Sequence, residues 1–162
     1  MSRTTFSGRA ANLLSTRFGA VARALSRVHE RLYTRFGGTR FGRYMGRPVV
    51  RLTVRGRVSG EPRSVLLMLV RDGDDLLVCG SNGGNPQAPN WWRNLVAAGE
   101  GEVRVVGERW PVTARVVTDA EEHARRWARL VAVYPDFHSY QALAGRRLPI
   151  AVLSRRGTSA GR

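Results

Sequence analysis

The sequence predicts a mainly β domain: an antiparallel six-stranded barrel with flanking helices, preceded by one amphipathic helix. Three observations predict it. Six short runs rich in β-branched residues occupy the chain after Pro48. The helical patterns between them are too few to supply the crossovers of a doubly wound sheet. And 162 residues, 43% of them hydrophobic, suit one domain with a proper core.

The elements follow in order. Leu14, Phe18, Val21, Leu25, Val28, Leu32 and Phe36 recur at steps of three and four, the stripe of an amphipathic helix. Arg17, Arg23, Arg27, Arg31 and Arg35 take its other faces. Three readings of the stripe stand: a helix packed on the domain's own core, one laid on anionic lipid, or a transit peptide. "RFGGTRFGRYMGRP" reads as a glycine-rich linker ending at Pro48.

"VVRLTVR" (49–55) and "RSVLLMLVR" (63–71) then alternate as strands, the second long enough to be central. "RDGDD" is a turn, and "LLVCGS" (76–81) is a third strand. "NWWRNLVAAG" opens a short helix after Pro89 and closes it at Gly99. "EVRVVG" and "RWPVTARVV" form a hairpin. Asp119 caps a helix from Ala120 to about Tyr134, with Glu121 and Glu122 in its first turn. A short aromatic helix spans 136–144, and "LPIAVLS" is the last strand. The organisation is an arm and linker over 1–46, the barrel over 47–155, and a disordered tail over 156–162.

Charge narrows the function classes. The net charge is +15, yet residues 1–60 carry +12 of it and the rest only +3. Every basic residue is Arg, a pattern that a GC-rich coding bias explains better than selection for phosphate contacts. The near-balanced barrel, without interleaved surface aromatics, argues against nucleic acid as the partner. The single cysteine, Cys79, excludes a disulfide framework and points to a reducing compartment, hence the cytoplasm. No apolar run is long enough to span a bilayer, and no secretory signal is legible.

Inventory removes several chemistries. His29, His123 and His138 lie far apart, with no metal-ligand spacing between them, so no metal site is expected. His123, beside Glu122 on a helix, reads as exposed. No serine occupies a nucleophile elbow, and neither a Walker loop nor a Rossmann fingerprint is present. Hard chemistry here would come from a bound organic cofactor. "RGRVSGEPR" (55–63) joins two strands with three arginines, two glycines and a serine. It reads either as a solvated basic turn or as a phosphate grip. "SNGGNPQAPNWWRNL" (81–95) joins a glycine-rich loop to a Trp pair. Glycines let backbone approach a flat ring, and tryptophans can wall it.

Together these stretches resemble the deazaflavin-dependent nitroreductase family, whose members are split β-barrels that bind coenzyme F420. The resemblance spans roughly 47–154 and rests on "RGRVSGEPR", the "RDGD" turn, "SNGGNPQAPNWWRNL" and "YPDFHSYQALAGRRLPIAVL", in that order. It implies that Arg57, Val58, Ser59 and Arg63, with Arg55 in support, hold the coenzyme's phosphate and acidic tail. Ser64, Val65, Leu66, Leu67 and Met68 would line the same channel. Cys79, Gly80, Ser81 and Asn82 would lie against the ring, with Asn90, Trp91, Trp92, Arg93 and Asn94 closing its other side. Tyr134, Phe137 and Tyr140, with Met68 and Ser81, would form the substrate pocket and supply candidate proton donors. Without the family, that aromatic cluster reads equally well as a satellite core.

Val58 stands where many relatives carry a basic residue, which puts tail binding in doubt. Met68 and Phe137 replace tyrosines of the nitroimidazole-reducing members, leaving a more apolar pocket that favours quinones over nitro drugs. The resemblance implies hydride transfer from reduced F420 to an electron-poor small molecule: a quinone first, then nitroaromatics or activated enones. FMN is the alternative ring, and a non-catalytic coenzyme carrier is the alternative function. The partners expected are the acceptor, the anionic inner face of the membrane through the arm, and at most a second copy of the chain.

Overall fold

The computed structural model describes residues 46–157 and the backbone of a two-residue strand, β1 (Arg43–Tyr44). The amphipathic stripe from Leu14 to Phe36, most of the linker and the tail beyond Gly157 lie outside the described residues. Within the stretch read as linker, β1 folds back on the next strand, with Arg43 opposite Pro48 and Tyr44 opposite Arg47. Gly46, at φ +78, makes the reversal between them.

Strand β2 (Arg47–Arg55) pairs antiparallel with β3 (Pro62–Met68), from Val49 opposite Met68 to Arg55 opposite Pro62. The stretch read as one long strand is two. At Leu69 the ladder stops, the Leu69 N–H bonds the Pro48 carbonyl, and the chain continues as β4 (Val70–Asp72) beside β5 (Asp75–Cys79). Strands β6 (Glu100–Val105), β7 (Glu108–Val116) and β8 (Ile150–Arg155) complete the sheet. Every pairing is antiparallel, running β2–β6–β7–β8–β5–β4. Because β3 and β4 are halves of one bent strand, the path curls back on β2, and six strands form the predicted barrel. The β6–β7 turn holds Val106 at φ 45 and Gly107 at φ 90, the positive pair that a tight hairpin demands.

Among the described residues three helices flank the barrel: α1 (Asn90–Ala98), α2 (Ala120–Val133) and α3 (Phe137–Ala144). Helix α1 ends as its sequence predicts, on Gly99 in the left-handed region with its N–H on the Leu95 carbonyl. Helix α2 starts as predicted too, the Asp119 carboxylate accepting the Glu122 N–H at 2.7 Å.

Alternation along each strand divides the core in two. Val50, Leu52 and Val54 of β2, Leu76 and Val78 of β5, and Ala151 and Leu153 of β8 fill the barrel with Trp92 and Leu95 of α1. Leu77, Cys79, Ile150 and Val152, one step out of phase, meet Leu130, Tyr134, Phe137 and Tyr140 from α2 and α3. Strand β5 is therefore apolar on both faces, covered on one side by barrel interior and on the other by helices.

Candidate active site

A cavity of about 220 Å³ opens where β3 and β5 face the end of α2 and the start of α3. Leu66, Leu67, Met68, Cys79, Ser81, Tyr134, Phe137 and Tyr140 line it, joined by Val49, Leu77 and Leu130. Its aromatic wall is tightly built. Phe137 stands edge-on to Tyr134 at 5.2 Å and to Tyr140 at 6.2 Å, and the two tyrosine hydroxyls lie 3.0 Å apart. The hydroxyl pair and Ser81 put polar character into a largely apolar chamber. Behind it, Arg47 caps the Val133 carbonyl, with its guanidinium carbon 5.6 Å from the Tyr134 ring centre.

Cys79 is not a nucleophile here. Burial pushes its thiol up to about 12, against the opposing pull of the Arg146 guanidinium, so the sulfur stays protonated.

The glycine-rich loop forms the adjoining wall. Gly80 is glycine for a steric reason: a Cβ there would lie 2.9 Å from Pro149 Cγ and 3.0 Å from Trp92 Cδ2. Trp92 therefore packs beneath the loop in the barrel core instead of walling the cavity, and Trp91, half-buried, meets it edge-on at 5.7 Å. The loop then makes a single 3-10 turn, Asn82–Gly84. Two of its amides turn inward: the Ser81 N–H bonds the Cys79 carbonyl and the Gly84 N–H bonds the Ser81 carbonyl. The Asn82 side chain bonds the Gln87 carbonyl at 3.0 Å, bracing the loop locally.

The basic hairpin lies at the far end of β3. From Arg63 to Met68 the strand runs about 17 Å at its normal rise. Arg55, Gly56, Arg57, Val58, Ser59 and Gly60 border an open hollow of about 540 Å³ against the end of α1. Arg55 bonds the Gly60 carbonyl at 3.2 Å, and Arg63 meets the Ser59 hydroxyl at 3.4 Å. Val58 is 89% exposed, a fully solvated tip. Asn94 reaches across from α1 and accepts from Arg57 at 2.9 Å, tying hairpin to helix.

Two clusters thus emerge, joined by β3. Ser64 turns toward Thr53, hydroxyl to hydroxyl at 2.9 Å, while Val65 packs against the barrel core. Asn90 and Arg93 are exposed on α1, away from the cavity lining. One expectation fails: His123 is buried, its Nε2 2.8 Å from the Leu148 carbonyl and its ring stacked on Trp127. The reason is helical phase, since His123 shares the inward face of α2 with Arg126 and Leu130. Arg126 is tolerated there because Asp72 at 2.6 Å and Glu122 at 2.9 Å neutralise it. The reading from sequence also missed Arg47 and Arg146. Val49 and Leu77 carried a signal, because apolar residues at outward strand positions announce a covering layer.

The model of the F420H(2)-dependent quinone reductase family matches residues 25–155. The chain belongs to that family. An F420H(2)-dependent quinone reductase from Mycobacterium tuberculosis is 33% identical over 138 residues, covering 82% of this chain and 91% of that protein. A Mycobacterium bovis protein described in similar terms shows the same identity and coverage. Among solved structures, an F420-H2 dependent reductase is 31% identical over 67% of this chain and 95% of that one, with a TM-score of 0.61. A chain described as a domain-swapped dimer is 28% identical, covers 86% of this chain and all of that one, and has a TM-score of 0.63. The curled antiparallel sheet with its three helices is the split-barrel-like fold of this quinone reductase family, and the family's dependence on F420H2 makes F420 the cofactor. The family description specifies quinone reduction, where the resemblance read from the sequence carried a nitroreductase name.

Proposed function

We propose that this chain is an F420H2-dependent quinone reductase whose coenzyme lies along β3. The observation that carries the reading is the layout of that strand: an apolar, tyrosine-capped cavity at one end and an arginine-rich hairpin at the other. A ligand with a flat ring and an anionic tail needs both, spaced by about five strand residues.

In this reading Arg55, Arg57, Ser59 and Arg63 take the phosphate and acidic tail, and Ser64, Leu66 and Met68 follow the linker. Cys79, Gly80, Ser81 and Asn82 back the ring. Bound F420H2 supplies the hydride. The chain supplies position and dryness: Leu66, Met68 and Phe137 exclude water, and the loop fixes the ring's edge. The Tyr134 and Tyr140 hydroxyls hold a proton on the acceptor side, where the reduced quinone needs one. Neither Met68 nor Phe137 offers a hydroxyl, and the chamber suits an apolar quinone better than a nitro compound. The basic arm before Gly46 would rest on anionic lipid and bring the pocket near lipid-soluble quinones, each Arg adding about 1 kcal/mol near the surface.

Titrating F420 and FMN against Trp fluorescence, then adding menadione to the protein with F420H2, tests the function. F420 should bind more tightly than FMN, and F420H2 should be oxidised only when quinone is present. Equal or tighter FMN binding overturns the cofactor reading. Tight F420 binding with no turnover across quinones, nitroarenes and enones would instead make the protein a coenzyme carrier.

A further inference from the structure

Arg146 sits in the segment between α3 and β8, directly before Arg147. The two arginines look interchangeable in sequence, but the fold separates them. Arg147 turns to the start of α2 and bonds the Ala120 carbonyl at 3.3 Å. Arg146 turns the other way. Its Nε donates to the Pro86 carbonyl at 2.8 Å and its Nη2 to the Gly80 carbonyl at 3.2 Å.

Those two carbonyls stand at the two ends of the glycine-rich loop. The loop between them has a high conformational cost, with Asn82, Gly83 and Gly84 all at positive φ. Within it the Gly84 N–H bonds the Ser81 carbonyl and the Asn85 N–H the Asn82 carbonyl, while the Gly80 N–H reaches out to the Pro149 carbonyl at 2.9 Å. A planar guanidinium is suited to hold both ends at once, because its donors are fixed in a fork. The segment that carries Arg146 is itself pinned: the Leu148 carbonyl meets His123, and the Leu148 N–H bonds the Gln141 side chain at 3.2 Å. Cys79 and Ser81, on either side of Gly80, both line the cavity. Displacing Gly80 therefore displaces the cavity wall.

We propose that Arg146 is a positioning residue that clamps the glycine-rich loop closed over the ring end of the coenzyme site. The inference rests on the reading that this loop backs the ring. The clamp makes the wall rigid before the coenzyme arrives, so less ordering is left for binding to do.

The sole cysteine reports on it. Cys79 is 6% exposed, directly before Gly80 and packed against the α2 and α3 layer, so labelling by a neutral maleimide reports how often this wall opens. The Arg146 charge pulls the Cys79 thiol down toward ionisation. Losing that charge alone would slow labelling, so faster labelling after substitution reports opening and not electrostatics. Arg146→Gln should label about tenfold faster at fixed pH and bind F420 about tenfold more weakly, as expected for the loss of one partly buried and one exposed hydrogen bond. Arg146→Lys keeps the charge but cannot span both carbonyls, and should behave like the Gln variant. Arg147→Gln should label at the wild-type rate.

Wild-type labelling and affinity in Arg146→Gln, or full rescue by Lys, would overturn the clamp. So would equal acceleration in Arg147→Gln, which would mean general loosening. Thermal unfolding of each variant shows whether acceleration merely follows lost stability, which would also count against it. If the wild type bound no F420, the coenzyme reading would fail, while the labelling contrast would still decide whether Arg146 clamps the loop.

Discussion

Arg57 donates twice to a single atom, the Oδ1 of Asn94: once from its backbone N–H at 3.3 Å and once from Nη1 at 2.9 Å. The two residues are 37 positions apart and belong to the two most distinctive stretches of the sequence, the basic hairpin and the helix after the glycine-rich loop. The bond makes one unit of them. Asn94 is only 7% exposed, and its amide oxygen is committed to the hairpin.

Asn94→Ala should therefore act on the hairpin and not on the quinone. Removing the acceptor leaves the Arg57 N–H poorly paired, and stability should fall by roughly 1–2 kcal/mol in urea denaturation. F420 affinity should drop as the hairpin loosens, with the KM for menadione unchanged. An unaltered F420 affinity beside lost stability would show that the hairpin's shape does not matter to the coenzyme.

Gly80→Ala tests the packing of the loop on Trp92. The added methyl would sit 2.9 Å from Pro149 and 3.0 Å from an indole ring, neither of which is the free end of a flexible chain. Overpacking of this kind costs roughly 1–3 kcal/mol. The measurable signs are a lower unfolding midpoint and changed Trp emission. A variant as stable as wild type, with unchanged emission, would contradict the close approach.

These residues show how far the sequence could be read. The strands, the Asp119 cap and the Gly99 stop were legible because each depends on local chemistry within a few positions. The order of motifs located the aromatic cluster and the hairpin. What was not legible depends on contacts across the chain. Trp92 looked like a cavity wall, but nothing in "NWWRN" says which ring meets Gly80 from below. Arg146 and Arg147 are identical side by side, and only the fold sends them to opposite walls. His123 was misread because one neighbouring glutamate is weak evidence about helical phase, whereas Leu130 two turns on shared its inward face.

Tyr140→Phe addresses the hydroxyl pair. Tyr134 and Tyr140 are both buried, 5% and 8% exposed, and share a hydrogen bond at 3.0 Å. If the pair delivers the proton, menadione turnover should fall on the order of 100-fold, the low end for general acid catalysis, with F420 affinity little changed. The pH dependence of turnover should flatten in the same variant. Unchanged turnover would assign the proton to solvent.

Acid should weaken the fold in a defined window. Hydrogen bonding from Arg115 lowers Glu122 from 4.5 to about 2, aided by Arg126 and opposed by desolvation. Because the folded-state value is depressed, the unfolded chain takes up the proton first. The stabilisation is whole above about pH 4.5, declines as pH falls, and is gone near pH 2. Urea midpoints at neutral pH and near pH 3 should differ more for the wild type than for Glu122→Gln. Parallel acid curves would mean that the Arg115 and Arg126 contacts do not hold in solution.

Arg63 tests the tail end of the proposed site most directly. Its side chain lies exposed at the start of β3, held only loosely toward the Ser59 hydroxyl at 3.4 Å. A residue placed this way contributes little to the fold, so Arg63→Ala should unfold at the wild-type midpoint. A charge-assisted contact to a phosphate, by contrast, is worth roughly 1.5–3 kcal/mol, and F420 affinity should fall by about one to two orders of magnitude. Raised salt should narrow the gap between variant and wild type, because screening removes from the wild type what the substitution removes from the variant. Arg125→Ala, on the exposed face of α2, supplies the matched loss of one charge without the location. If both substitutions weaken binding equally, the effect is net charge, and the hairpin is solvated surface after all.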